Sequence, residues 1–410
     1  MLRIGLTLFF ATTMLPGVLP ADWLQFRGSD HRSVAADARL PLSWSDKEGV
    51  AWKTALVGRG ASSPIVVKGR VIVTCSSGPK QERLHVVCID AVRGSQLWER
   101  QFWATGRTAC HPTSANAAPT PASDGERIFA FYSSNDLVCL DLQGNLLWYR
   151  GLGHDYPAVG NDAGMSSSPV VAGDKVAGER VIVQVEAQGE SFALALDGAT
   201  GEDRWRIERK KMANWSSPTV LRGATRADDT VLLQSPWGLT AHDPQDGKER
   251  WRHDKGCSGI PSATPSGDMI FVPSSGITAL RVKAGSSPEL VWQENKLSPA
   301  GPSPVVHDGH IYTMNRTILV CGDAATGKVL WQLRLASGMY WATPLVAGNH
   351  LYVMSYEGLA QVVKLGEKEP KVIATTQIGE QVQGSPAVAG GAMFLRTDKH
   401  LWKIASPTLN

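Results

Sequence analysis

The chain has 410 residues and a formal charge of +3, from 41 Lys and Arg against 38 Asp and Glu. The two signs are interspersed, which argues against nucleic acid or an anionic membrane surface as a partner. With 43% hydrophobic and 19% charged residues, the chain can bury a substantial core and does not have the composition of a disordered polymer.

The first 21 residues predict a secretory signal. Arg3 gives a positive start, residues 4–15 form a short apolar run, and Leu19-Pro20-Ala21 offers a cleavage site. That run is too short to span a bilayer comfortably, and no other stretch is long and apolar enough, so no transmembrane segment is expected. The expected location is periplasmic or secreted, in an oxidising compartment. Residues 22–49 are read as an extended N-terminal segment. Val50–Leu56 then reads as a strand carrying Trp52, with no repeat of its own to belong to.

From residue 63 onward one unit recurs. Its starts are Ser63-Pro64, Ala118-Pro119, Ser168-Pro169, Ser217-Pro218, Ser262-Ala263, Ser303-Pro304, Thr343-Pro344 and Ser385-Pro386, at intervals of 40 to 55 residues. A repeat of this length means a stacked or closed array of one small unit. After each start come two apolar runs separated by a Gly-bearing turn, which is a hairpin signature. A Pro is tolerated there because the first residue of a strand need not donate to the ladder. A third run follows and leads into Asp-x-x-x-Gly, where Asp bonds its own backbone and Gly takes positive φ. The fourth run carries Trp. Asp90, Gly94 and Trp98 show the pattern, as do Asp197, Gly201 and Trp205, and Asp141, Gly144 and Trp148 show it with a turn one residue shorter. It returns at Asp243, Gly247 and Trp251, in a degraded form ending at Trp292, and at Asp323, Gly327 and Trp331.

Four antiparallel strands repeated eight times predict an all-β fold, an eight-bladed β-propeller over residues 50–405. The last unit, Ser385 to Ile404, has only three strands, so the N-terminal Trp52 strand is expected to join the last blade and close the ring. The repeated tryptophans are then inter-blade packing devices. The seventh unit has Lys371–Thr375 where Trp is expected, and packing there is expected to be weaker. Insertions at 174–179 and 223–229 fall in turns between the first and second strands of blades 3 and 4 and are read as surface elaborations. Residues 406–410 are a C-terminal tail.

The six cysteines include no adjacent pair and no C-x-x-C, so a zinc or thioredoxin-like site is not indicated. Cys88, Cys139 and Cys321 occupy one place in three repeats and read as buried strand residues. Cys110 and Cys257 lie in loops and are the one pair to watch for a disulfide.

The units resemble the repeats of the pyrroloquinoline quinone (PQQ) enzyme superfamily, most clearly at Leu194–Trp205 and Val320–Trp331. They are also similar to those of BamB-like proteins. The segment Trp23-Leu-Gln-Phe-Arg-Gly28 is similar to the opening of secreted PQQ-like propellers. The resemblance implies the fold and leaves the activity open. The catalytic quinoproteins resembled carry two adjacent cysteines beside the cofactor, and this chain has no such pair. BamB carries a lipid-attachment cysteine behind its signal, whereas the first cysteine here is Cys75.

A propeller binds ligands at its central mouth, between loops that lead into the innermost strands and the hairpins joining second to third strands. Those loops offer Arg59, His111, Asn116, Asn161, Asp162, Asn214, Trp215, Cys257, Tyr340, Trp341, Gln381 and Gln383, and the hairpins offer Glu186 and Trp237. Trp215, Trp237 and Trp341 break the repeat's rule, and rule-breaking positions are the better functional candidates. Aromatics and amides around one mouth suit a flat or sugar-like ligand, or a peptide.

The expectation is a non-catalytic, monomeric propeller that needs no cofactor. It binds an envelope protein, a peptide or a small ligand at its funnel, through Arg59, His111, Asn116, Asp162, Asn214, Trp215, Trp237, Trp341 and Gln383. The alternative is a PQQ- and Ca²⁺-dependent oxidoreductase, for which Glu186, Asn214, Asp162 and Arg59 are the nearest residues of suitable chemistry, Glu186 and Asn214 being the metal candidates. No Ser-His-Asp signature, P-loop or H-E-x-x-H motif is visible.

Overall fold

In the computed structural model, residues 22–45, 48–160, 162–283, 286–366 and 368–406 are described. The signal read over 1–21 and nearly all of the C-terminal tail lie outside them, as does Asn161.

Eight blades of four antiparallel strands follow one another around a ring, the seventh carrying a fifth, parallel strand from the N-terminal segment. Blade 1 is typical: Ile65–Val67 innermost, then Arg70–Ser77, Arg83–Asp90 and the outer Gln96–Trp103. The inner three strands are almost wholly buried and the outer one alternates with solvent, which is the pattern of a radial array with one wet edge. Blade 8 takes its outer strand from the N-terminus. Val50–Ala55 pairs antiparallel with His400–Ile404, through Lys53 opposite Trp402 and Thr54 opposite Leu401. The chain ends are thus sewn into one sheet, as the orphan Trp52 predicted.

The repeated Trp and the repeated Gly are two halves of one contact. Trp98, Trp148, Trp205 and Trp292 each lie over the Gly turn or the equivalent turn of the next blade, and the indole N–H donates to a carbonyl of that turn. Trp98 reaches Leu142 O at 3.0 Å, Trp148 reaches Gly198 O at 3.1 Å, Trp205 reaches Pro244 O at 2.9 Å and Trp292 reaches Ala324 O at 3.0 Å. Gly144 has φ of +83°, and a Cβ there would stand 2.7 Å from the Trp98 ring. The position therefore needs glycine twice, for its backbone and for its neighbour. Asp90, Asp197 and Asp323 accept from the backbone two and three residues on, as Asp90 does from Val92 and Arg93, while Asp141 accepts from Gln143 and Asn145.

This pairing explains the missing seventh Trp. Blade 8 has no turn between its third and fourth strands, because those strands are the two chain ends. Nothing there requires covering by an indole. Ala374 occupies the Trp register opposite Val362. Trp44 of the N-terminal segment, 6% exposed, enters the same core cluster, its backbone N–H facing Thr376 Oγ1. The expected weak joint is thus filled from elsewhere in the chain.

The second blade begins two residues later than its sequence suggests. The strand there is Ala122–Ser123, preceded by Thr120 and Pro121. Two X-Pro steps stand side by side, and Thr120, which carries a hydroxyl, takes the structural place assigned above to Ala118.

Candidate functional site: a blind central shaft

The residue that opens each blade is a serine or threonine, and the eight are linked head to tail. The backbone N–H of Ser63 donates to Thr120 Oγ1 (2.9 Å), Thr120 to Ser168 Oγ (3.0 Å), Ser168 to Ser217 Oγ (2.9 Å) and Ser217 to Ser262 Oγ (2.9 Å). The chain continues from Ser262 to Ser303 Oγ (3.0 Å), Ser303 to Thr343 Oγ1 (3.3 Å), Thr343 to Ser385 Oγ (2.9 Å) and Ser385 back to Ser63 Oγ (2.8 Å). Each inner strand would otherwise start with an unpaired buried N–H, and the next blade's hydroxyl satisfies it. Prolines at the following position fix the backbone for this exchange.

These eight side chains line a central cavity of about 490 Å³. Above the hydroxyl belt the wall is made by His111, Met165, Trp215, Ile260, Trp341 and Gln383. Phe26 lies at the other end. It belongs to the segment 22–35, which crosses the face carrying the turns between first and second strands. There Trp23 bridges to Val66 of blade 1, Leu24 O accepts from Ser123 of blade 2, and Gln25 Oε1 accepts from Val171 of blade 3. Arg27 donates to Thr264 Oγ1 (2.7 Å) and Ala263 O (2.8 Å) in blade 5, and Arg222 of blade 4 donates to Ser29 O. Val34–Ala35 adds a parallel strand to the inner edge of blade 7. Segment 22–35 is therefore a floor that makes the shaft blind. Arg222 belongs to the turn that holds the 223–229 insertion, so this insertion borders the anchor of the floor.

The tight reversal of the floor requires unusual backbone. Arg27, Gly28, His31 and Ser33 all have φ between 58° and 88°. Burial pulls the Arg27 guanidinium down to about 9, and burial pushes the His31 imidazole well below its ordinary range. His31 is held by Gln25 at 3.0 Å.

Of the residues singled out in the sequence, His111, Trp215, Trp341 and Gln383 converge on the shaft. Trp215 is fixed by its indole N–H donating to Gly164 O at 2.8 Å, whereas Trp341 is 41% exposed and lies against Gly301. Arg59 lines a smaller hollow beside the shaft together with Gln381 and Asp398, and Arg59 donates to Pro112 O. The remaining candidates stand elsewhere. Asn116 is fully buried, its amide bridging Gln81 O and the Ser134 N–H. Asn214 is likewise consumed by Gln234 O and Ser216. Asp162 is exposed and paired with Arg107 at 2.7 Å. Trp237 is 44% exposed beneath Lys210, outside the shaft lining. Two polar residues beside strand starts, Asn116 and Asn214, thus tie down neighbouring turns instead of lining the mouth.

Glu186 is buried and paired with Arg209 at 2.6 Å, and burial pushes its carboxyl up. It does not line the shaft, and neither do Asn214 and Asp162. Glu186 and Asn214 touch one another, but away from the shaft and already held by Arg209 and Gln234, while Asp162 and Arg59 stand apart from them, so this donor set does not fit a quinone with its calcium ion. Among the described residues, no cluster of three or more His, Cys, Asp or Glu is placed to hold a metal. All six cysteines, Cys110 and Cys257 included, stand as free thiols. No helix among the described residues is long and apolar enough to cross a membrane.

The sequence reading missed the hydroxyl belt and the floor. The belt's signal was present in the recurring Ser/Thr before proline, and the floor's in Trp23-Leu-Gln-Phe-Arg-Gly28.

Comparisons with known proteins agree on the architecture. The chain is 23% identical over 261 residues to the outer membrane protein assembly factor BamB of Alteromonas naphthalenivorans, covering 56% of this chain and 57% of that protein. It is 30% identical over 175 residues to the serine/threonine-protein kinase AfsK of Streptomyces griseus, covering 40% of this chain and 21% of the kinase. It thus spans about a fifth of one curated relative and just over half of the other. The fold is shared with BamB from Moraxella catarrhalis, at 15% identity and a TM-score of 0.63, covering 88% of this chain and 98% of that one. It is shared too with a europium-containing methanol dehydrogenase, at 13% identity and a TM-score of 0.65, covering 92% and 90%. A family model described as outer membrane protein assembly factor BamB matches residues 28–177, 161–264 and 275–369. By that match, which extends over most of its length, the chain belongs to the BamB family of PQQ-like repeat propellers.

Proposed function

We propose that this protein is a non-catalytic, monomeric binding propeller of the periplasm or secreted space. Its blind shaft takes a protein or peptide partner, or a small ligand, through the open mouth. The observation that carries this reading is the shaft itself. A cavity of about 490 Å³ is within the range of ligand sites. It has an aromatic rim and a polar belt, and no carboxylate lines it. The family description, an assembly factor, supports a protein or peptide as the occupant.

Replacing Trp341 by Ala is expected to weaken retention of envelope proteins or peptides on the immobilised protein, with an almost unchanged melting temperature. The competing reading, a PQQ- and Ca²⁺-dependent dehydrogenase, predicts quenching of Trp fluorescence by PQQ with a micromolar constant and dye reduction by an alcohol. Observation of both overturns the binding reading.

A further inference from the structure

We infer that the shaft receives the carboxylate end of a peptide chain. This inference rests on the binding reading above and specifies what enters and in which direction.

The first observation is an imbalance of charge. Arg27 and Arg396 are the two largest fully buried side chains, at 0% and 1% exposure. Neither forms an ion pair or a hydrogen bond with a carboxylate among the described residues, although Asp30 and Asp398 act on them electrostatically from farther off. Arg27 spends its guanidinium on Thr264 Oγ1 and Ala263 O, and Arg396 on Ser62 Oγ, Thr74 O and Cys75 Sγ. In each, Nε has no partner among the described residues. Buried charges are ordinarily paired. These two stand behind the shaft wall on opposite sides of the ring, neither of them among the residues that line it. Arg27 contacts blade 5 one and two residues from the belt residue Ser262, and lies 5.4 Å from the Phe26 ring that forms the floor. Arg396 contacts Ser62, which adjoins the belt residue Ser63 of blade 1.

The second observation is the state of the belt. Each of its eight hydroxyls accepts a backbone hydrogen bond, and no protein acceptor among the described residues takes its proton. The belt therefore presents donors to the lumen. Donors between two buried cations, with no carboxylate in the wall, select an oxyanion and reject an ammonium.

The third observation is that the floor is closed. A polypeptide cannot thread through, so it enters by an end, and the electrostatics choose the carboxyl end. The apolar wall of Met165, Ile260, Trp215 and Trp341 then suits aliphatic residues just ahead of that terminus.

The test compares acetyl-Gly-Ala-Val-Leu with a free carboxylate against the same peptide amidated, on the full-length protein, by Trp fluorescence and calorimetry. The free acid is expected to bind at least tenfold more tightly, and Arg396→Gln and Arg27→Gln are expected each to reduce that preference several-fold. The acid-against-amide comparison on the unaltered protein needs no variant and stands if either substitution impairs folding. Equal binding of acid and amide overturns carboxylate recognition and leaves peptide binding intact. Binding of a small acid such as 4-methylpentanoate, with neither peptide bound, overturns the peptide assignment. Failure of all three probes overturns the inference, and loss of envelope-protein retention in the preceding experiment separately decides the binding reading.

Discussion

The two ends of the shaft are built on opposite principles. The floor is a segment tied to six of the eight blades, with Trp23, Arg27 and His31 buried and four residues in a rare backbone conformation. The mouth carries Trp341 at 41% exposure, and Trp237 and Met339, outside the shaft lining, stand 44% and 45% exposed. Strain that persists only because its surroundings over-determine it marks a fixed structural element. Exposed aromatics near an apolar opening mark a surface with unused binding capacity. One end of the channel is thus committed to the fold, and the other is free to change without harming it.

Deleting residues 22–45 tests that contrast most severely. Trp23, Leu40 and Trp44 leave the core together, and the expected loss is at least about 5 kcal/mol, enough to unfold a marginally stable domain. Circular dichroism should show the native signal largely gone at 37 °C, and a cooperative melt near the parent temperature sinks the idea that the floor is structural. Trp23→Ala alone is expected to cost about 3–5 kcal/mol by the cavity it leaves.

Acid should loosen the floor before the mouth. The His31 imidazole titrates well below the ordinary value of 6.5 because it is buried. The unfolded chain therefore takes up a proton below about pH 6.5 that the folded chain resists. The stabilising contribution is complete above that pH and declines as pH falls, by up to about 1.4 kcal/mol per unit. His31→Gln should flatten this slope in denaturant melts between pH 7 and 5, and an unchanged slope assigns it to other groups.

The belt between the two ends should show an intermediate cost. Ser217→Ala leaves the Ser168 N–H without its acceptor, and a loss of about 1–2 kcal/mol is expected. Trp341→Ala, at the mouth, should shift stability by no more than about 0.5 kcal/mol. A larger fall in the urea midpoint makes Trp341 a core residue and dissolves the contrast.

The sequence was most legible where one unit copies itself. The Asp-x-x-x-Gly turn and the Trp that follows it locate every blade that has them, and Trp52 locates the seam. Legibility failed where contacts join distant, unrepeated residues. Nothing local to Phe26 or Arg27 indicates that Arg27 meets Thr264 across 237 positions. Nor does periodicity distinguish Asn116, spent on Gln81 and Ser134, from Gln383, which faces the lumen. Position in a loop sets which face of the propeller a residue is on, and only packing decides whether its polar atoms are already used. The choice between Ala118 and Thr120 shows the same limit at close range, because proline marks the strand start and the hydroxyl marks the function.

The belt of hydroxyls has a consequence for assembly. An open array of repeats can fray from either end, since each terminal unit lacks one neighbour. A closed circuit has no terminal unit. The bond from Ser385 to Ser63 spans 322 residues, and it can form only when the whole chain has been gathered. Until then the other seven bonds describe an arc that is free to splay. Once the last bond is made, widening any gap between two blades must stretch or break bonds elsewhere in the circle. The belt works as a hoop works on a barrel: radial pressure from anything entering the shaft is carried as tension around all eight staves.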